Sequence, residues 1–143
     1  MVRVNLVEPK RLSDQHLIAE YNEILMLLAY VKRYPALREI PKEYCLGKGH
    51  MKFFKDKLKF LQKRHESLKK EMRRRNFRAN KTIRLSDFPK NLRNDWEPSE
   101  GDYKKVKKRL REKIMSKSNF YRYEGVKKGR DFFLDMLGII KSQ

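Results

Sequence analysis

Between residues 13 and 33 the apolar side chains recur three and four positions apart. On a wheel of about 100° per residue with His16 at zero, Leu17, Tyr21, Ile24, Leu28 and Val31 fall between about 60° and 140°. This spacing predicts an amphipathic helix with one face on a core. Ser13 and Asp14 suit its first turn, and Leu12 and Leu17 stand where a hydrophobic staple would. Lys32 and Arg33 suit its negative end, and Pro35 stops it near Arg33. Ahead of it, Val2 to Leu6 reads as a short extended segment, broken around Pro9.

A second helical pattern spans about His50 to Arg75, with Phe54, Leu58, Leu61, Leu68 and Met72 on one apolar face. Its other faces are crowded with Lys52, Lys55, Lys57, Lys59, Lys63, Arg64, Lys69, Lys70, Arg73, Arg74 and Arg75. Such a run reads as a solvated surface of which part faces phosphate. A third helix is predicted from a Ser99 cap to about Met115, with Tyr103, Val106, Leu110 and Ile114 inward. Arg109 and Lys113, four apart, share one side of it.

Residues 34–46 and 76–98 carry prolines and read as connectors, the second with a short turn at Lys90-Asn91-Leu92 and with Trp96 in the core. The alternation Phe120-Tyr121-Arg122-Tyr123 suits stacking on bases and contact with phosphate; the competing reading packs these aromatics on the core. An apolar tail follows, including Phe132, Phe133, Leu134, Met136, Leu137, Ile139 and Ile140, which packs on the domain or on a partner. No strand pairs are evident. The expected fold is all-α: one compact domain of three main helices with irregular connectors over residues 1–125, and a C-terminal extension over 126–143 packed on it.

Charge sharpens this picture. The 143 residues include 37 Lys and Arg against 18 Asp and Glu, a formal net charge of +19. Such an excess suits a polyanionic partner, nucleic acid first, whether the protein is an enzyme or a non-catalytic basic binder. The single cysteine, Cys45, excludes an internal disulfide and a Cys-rich zinc site. The longest apolar run, Ile24 to Val31, falls far short of the roughly 20 residues that span a bilayer. The expectation is a soluble, intracellular, DNA-associated protein without a membrane partner.

In so basic a chain, acidic residues beside a helix edge attract notice. Glu20 and Glu23 fall at about 40° and −20°, flanking His16. Glu20 reads best as half of a structural salt bridge; a metal site on His16, Glu20 and Glu23 has no further ligand cluster to complete it. Gly47-Lys48-Gly49 lacks the spacing of a nucleotide-binding P-loop, but the amides at the following helix start are a candidate for a single DNA phosphate.

Ordered pieces of the chain resemble the pyrimidine-dimer DNA glycosylase and abasic-site lyase family of bacteriophages and algal viruses. They are Arg3-Val4-Asn5-Leu6, Leu12-Ser13-Asp14-Gln15-His16-Leu17, Ala19-Glu20-Tyr21-Asn22-Glu23, Leu46-Gly47-Lys48-Gly49-His50, Phe53-Phe54-Lys55-Asp56-Lys57-Leu58, Arg109-Leu110-Arg111-Glu112-Lys113-Ile114 and Tyr121-Arg122-Tyr123-Glu124-Gly125. The resemblance implies an all-α, cofactor-free, monomeric enzyme acting on double-stranded DNA that contains pyrimidine dimers or abasic sites. It implies a nucleophile at the α-amine of Val2, once Met1 is removed, and an essential carboxylate at Glu23. It implies DNA contacts from Arg3, His16, Arg109, Lys113, Tyr121, Arg122 and Tyr123, and no metal. Asn22 and Met26 stand where phage members carry arginines, Phe120 replaces a tryptophan and Glu124 a tyrosine. These departures leave open an altered lesion preference, including an enzyme that acts mainly on abasic sites.

Overall fold

A computed structural model describes residues 4–47, 49–117 and 119–138. Within them lie five helices and one small hairpin: α1 (Asp14–Arg33), α2 (His50–Phe53), α3 (Leu58–Arg74), α4 (Glu100–Ser116), β1 (Arg122–Tyr123), β2 (Val126–Lys127) and α5 (Arg130–Met136). Short 3-10 turns join them. The protein is mostly helical, as the periodicities predict.

The start of α1 follows from its local sequence. Ser13 Oγ accepts from the His16 amide at 3.1 Å, and both staple residues, Leu12 and Leu17, are buried. Along α1, Tyr21, Ile24, Leu27, Leu28 and Val31 join the core; the helix packs on α3, whose Leu58, Leu61, Leu68 and Met72 are buried in the same cluster. Ser99 and Asp102 form a capping box at the start of α4, which turns Val106, Leu110 and Ile114 inward. Tyr103 departs from the inward expectation. It stands at the first turn of α4, beside a groove lined also by Phe60 and Trp96, and stays exposed.

The second predicted helix is not continuous. It breaks into α2, a 3-10 turn (Phe54–Asp56) and α3, with Lys57 between them at φ −121° and ψ 43°. The connector causes the break: Lys57 pairs with Arg93, the Asp56 carbonyl accepts from the Asn94 amide, and the Lys59 amide donates to the Asn94 carbonyl. Backbone groups released from the helix find partners there, so the interruption costs little hydrogen bonding. Phe53, Phe54 and Leu58 all remain buried, and the apolar periodicity passes through the break unchanged.

The basic run on this segment also divides. Lys52, Lys59, Lys63, Lys70, Arg73 and Arg74 are exposed, but Lys55, Arg64, Lys69 and Arg75 are buried. Arg64 pairs with Glu20; Arg75 pairs with Asp14 and Glu71 and donates to the carbonyls of Pro9 and Lys10. Lys69 pairs with Glu66 and donates to Thr82. These paired side chains brace the fold.

The hairpin is an addition to the expected all-helical picture. Glu124 and Gly125, at φ 52° and 83°, form its two-residue turn, the left-handed geometry that matches strand twist. Beyond it, Phe133, Leu134 and Leu137 are buried in the common core, and Arg11 donates to the Met136 carbonyl at 2.8 Å. Of the apolar tail, Ile139 and Ile140 lie outside the described residues.

Candidate active site

Three consecutive side chains in the first turn of α1 hold the hairpin segment. Asp14 accepts from the amides of Glu124 at 3.0 Å and Gly125 at 2.7 Å. Gln15 donates to the Phe120 carbonyl and accepts from the Arg122 amide, both at 2.9 Å. His16 stacks on the Tyr121 ring, centroids 4.7 Å apart and planes 22° from parallel, and its Nδ1 lies 2.8 Å from Ser13 Oγ. The local sequence Ser-Asp-Gln-His thus caps a helix and anchors a loop more than a hundred residues away.

Between these elements and α4 lies a cleft of about 240 Å³, whose walls include Asn5, His16, Arg109, Lys113, Phe120 and Tyr121. Burial, then the charges of Lys113 and Arg109, push the His16 pKa down to about 4. The imidazole is therefore neutral at pH 7 while the wall beside it is cationic. Desolvation also raises the Tyr121 phenol, which stays protonated. Asn5 is buried, and its Nδ2 has no hydrogen-bond partner among the described residues. A buried amide donor without an acceptor costs about 1–3 kcal/mol, which a ligand oxygen or nitrogen in the cleft would recover.

The two carboxylates on the edge of α1 part company. Glu20 is fully buried and accepts from Arg64 Nε and Nη2. It points into the fold, as the salt-bridge reading expected. Glu23 is half-buried, two turns or about 10 Å along α1 from His16. Among the described residues no cluster of three His, Cys, Asp or Glu is placed to hold a metal.

A family model described as pyrimidine dimer DNA glycosylase matches residues 1–85, more than half of the chain. The chain belongs to the pyrimidine dimer DNA glycosylase family. It is thus of an enzyme family of DNA repair, with DNA as substrate. The matched stretch supplies Asn5, Gln15 and His16 to the cleft, whereas Arg109, Lys113 and Tyr121 come from the part beyond it; Glu23 is matched too but does not line the cleft. In this glycosylase the cleft is built jointly by both parts. No helix among the described residues is long and apolar enough to cross a membrane.

Of the residues singled out from sequence, the cleft unites His16, Arg109, Lys113 and Tyr121. Val2 and Arg3 lie outside the described residues. Arg122 is exposed on the hairpin. Tyr123 sits elsewhere: its ring lies under the Arg75 guanidinium at 4.1 Å, and its hydroxyl donates to the Lys10 carbonyl at 2.8 Å. Sequence reasoning missed Asn5 and Gln15 as cleft residues, and it read Phe120 only as part of the aromatic and basic run. Phe120 is 47% exposed, with Lys117 Nζ 4.6 Å from its ring centre, and its place in the aromatic and basic run was the available signal. Gly49, at φ 99°, leads into a four-residue α2 whose His50 is buried, and the His50 amide is already taken by the Gly47 carbonyl.

Proposed function

We propose that this family member excises UV-induced cyclobutane pyrimidine dimers and then nicks the abasic strand, using the α-amine of Val2 as nucleophile after removal of Met1. The observation that carries this reading is Asn5 in the wall of the cationic cleft with His16, Arg109 and Lys113. Three residues of extended chain reach about 10 Å, so an amine on Val2 can work at this cleft.

An α-amine suits the task by its acidity. Its ordinary pKa of about 7.7–8.0, against about 10.4 for lysine, leaves on the order of a hundred times more neutral amine at pH 7. Attack on the sugar C1′ forms a C–N bond while the glycosidic bond breaks; the electron pair leaves with the pyrimidine nitrogen, which takes up a proton. The sugar ring then opens: the C1′–O4′ bond breaks, O4′ takes up the proton given by the former amine, and the resulting iminium acidifies the C2′ hydrogen. Its removal expels the 3′ phosphate by β-elimination, and water then hydrolyses the imine and frees the amine. Glu23 is assigned to stabilising positive charge at C1′ and to moving protons. Arg3, Arg109, Lys113 and Arg122 hold phosphates, Tyr121 orients His16 against the strand, and Tyr123 supports the hairpin that carries Arg122. The protein acts as a monomer on duplex DNA, without a cofactor, and residues 126–143 belong to the same domain as 1–125.

A second reading, an enzyme acting mainly on abasic sites, draws on Asn22 and Met26. Both are exposed on α1, and neither offers the charge of an arginine.

Borohydride trapping tests the proposal. On a duplex with one dimer, the reduced adduct is expected on the N-terminal peptide at neutral pH. One extra N-terminal residue, which shifts the amine by roughly 3.5 Å, is expected to abolish it. An adduct on a lysine, with equal cleavage by the extended protein, would overturn the mechanism. Cleavage of an abasic duplex but not of the dimer duplex favours the second reading.

A further inference from the structure

Val4, the first described residue, is fully buried and its backbone is held from both sides. Its amide donates to His50 Nε2 at 3.1 Å, and its carbonyl accepts from the Tyr44 hydroxyl at 3.0 Å. Because Nε2 accepts, His50 carries its proton on Nδ1, which donates to the Cys45 carbonyl at 2.8 Å. Tyr44 and His50 are themselves buried, packed edge to face with ring centres 5.6 Å apart. Just beyond, the Val7 amide closes on the Asn5 carbonyl at 2.6 Å around Leu6, which sits at φ 59°. A three-residue turn with positive φ at leucine is strained and persists only where the surroundings impose it. The segment from Val4 to Val7 is thus fixed at both ends.

We propose that His50 and Tyr44 are positioning residues for the N-terminal amine. Two residues of chain separate Val4 from Val2 and reach about 7 Å at full extension, so whatever fixes the Val4 backbone bounds how far the amine can range. Rapid attack on C1′ requires near-attack geometry, and a misplacement of about 1 Å can cost on the order of 100-fold in rate. A clamp at Val4 supplies such geometry where a free chain end would wander. It also gives the Gly47-Lys48-Gly49-His50 motif its purpose: the left-handed Gly49 turns His50 inward toward Val4. The proposal rests on the reading of Val2 as nucleophile.

Two substitutions of one residue separate the clamp from general structure. His50→Gln keeps an acceptor near the Nε2 position for the Val4 amide; His50→Asn keeps a donor near Nδ1 for Cys45 but loses that acceptor. In borohydride trapping and single-turnover cleavage, His50→Asn is expected to slow the amine by about 100-fold, with dimer-duplex Kd within twofold of wild type. His50→Gln is expected to recover most of the rate, and Tyr44→Phe to lose about tenfold. Equal rates for His50→Gln and His50→Asn, or rate losses that follow the fall in Tm, would overturn the clamp. Should His50→Asn fail to fold, Tyr44→Phe decides alone, since it keeps the ring and its packing: a wild-type trapping rate rejects the proposal. A wild-type adduct on a lysine rejects the nucleophile reading instead, whereas a wild-type adduct on Val2 with unaffected variants rejects only the clamp.

Discussion

Glu20 and Arg64 meet as a fork. One carboxylate oxygen lies 2.6 Å from Nε and the other 2.9 Å from Nη2, with Glu20 at zero exposure. Arg64 donates its remaining nitrogen to the Val7 carbonyl, so one guanidinium ties α1 and α3 to the N-terminal segment. Removing one partner strands a buried charge. Glu20→Ala is expected to lower unfolding stability by about 3–5 kcal/mol, while exchanging both residues for apolar ones of similar volume is expected to be far milder. Urea unfolding measures this. A loss below about 1 kcal/mol for Glu20→Ala would show that the pair is a bystander.

Glu23 should behave in the opposite way. Glu23→Gln keeps shape and removes one negative charge on the proposed DNA face. Loss of dimer cleavage is expected, with DNA binding equal or tighter. Cleavage by the variant at the wild-type rate would take Glu23 out of the chemistry.

Arg109 and Lys113 carry two effects that can be read separately. Each alanine variant is expected to flatten the slope of log K against log salt for undamaged DNA by roughly one unit. The double variant should also raise the His16 pKa above about 4, since both charges depress it, yet leave it below the ordinary value because burial is the larger cause. An NMR titration of His16 that does not move would mean that these cations lie too far away to act on it.

His65 makes stability depend on pH. It is fully buried and stacks on Tyr21 at 4.6 Å. Burial, with Lys69 adding to it and Glu66 and the Tyr21 backbone opposing, lowers its pKa to about 4. The unfolded chain protonates near 6.5 and the folded one only near 4. Stability is therefore fully present above about pH 6.5 and declines as pH falls toward 4, by on the order of 3 kcal/mol for this group. His65→Phe keeps the stack and should remove one proton from that dependence. Denaturant midpoints between pH 4 and 7 test it; an unchanged slope would exclude His65 as the source.

What the sequence disclosed and what it hid divide by distance along the chain. The boundaries of α1, its Ser13 cap and the capping box at Ser99 are made by neighbours in sequence, and local spacing reads them. The break at Lys57 is imposed by Arg93 and Asn94, and the hairpin is held by Asp14. The exposed and buried halves of the basic run look alike in sequence, because Glu20, the counter-charge of Arg64, lies 44 positions away, and Arg75 adds to the nearby Glu71 a second partner, Asp14, 61 positions away. The cleft follows the same rule: His16, Arg109 and Lys113 were legible as candidates, whereas Asn5 and the Tyr44–Val4–His50 arrangement appear only once distant segments meet.

The bonds from Asp14 and Gln15 to the hairpin span 105 to 111 residues. Closing a flexible loop of that length costs about 4 kcal/mol on the (3/2)RT ln n scaling, so these contacts form only when the rest of the chain has condensed. The positive charge that attracts DNA, by contrast, is present in any conformation. A nascent or partly unfolded molecule can therefore cling to the genome while its cleft is still unassembled. Attraction to DNA and construction of the cleft thus have different requirements: the first needs only the charge, the second the whole fold.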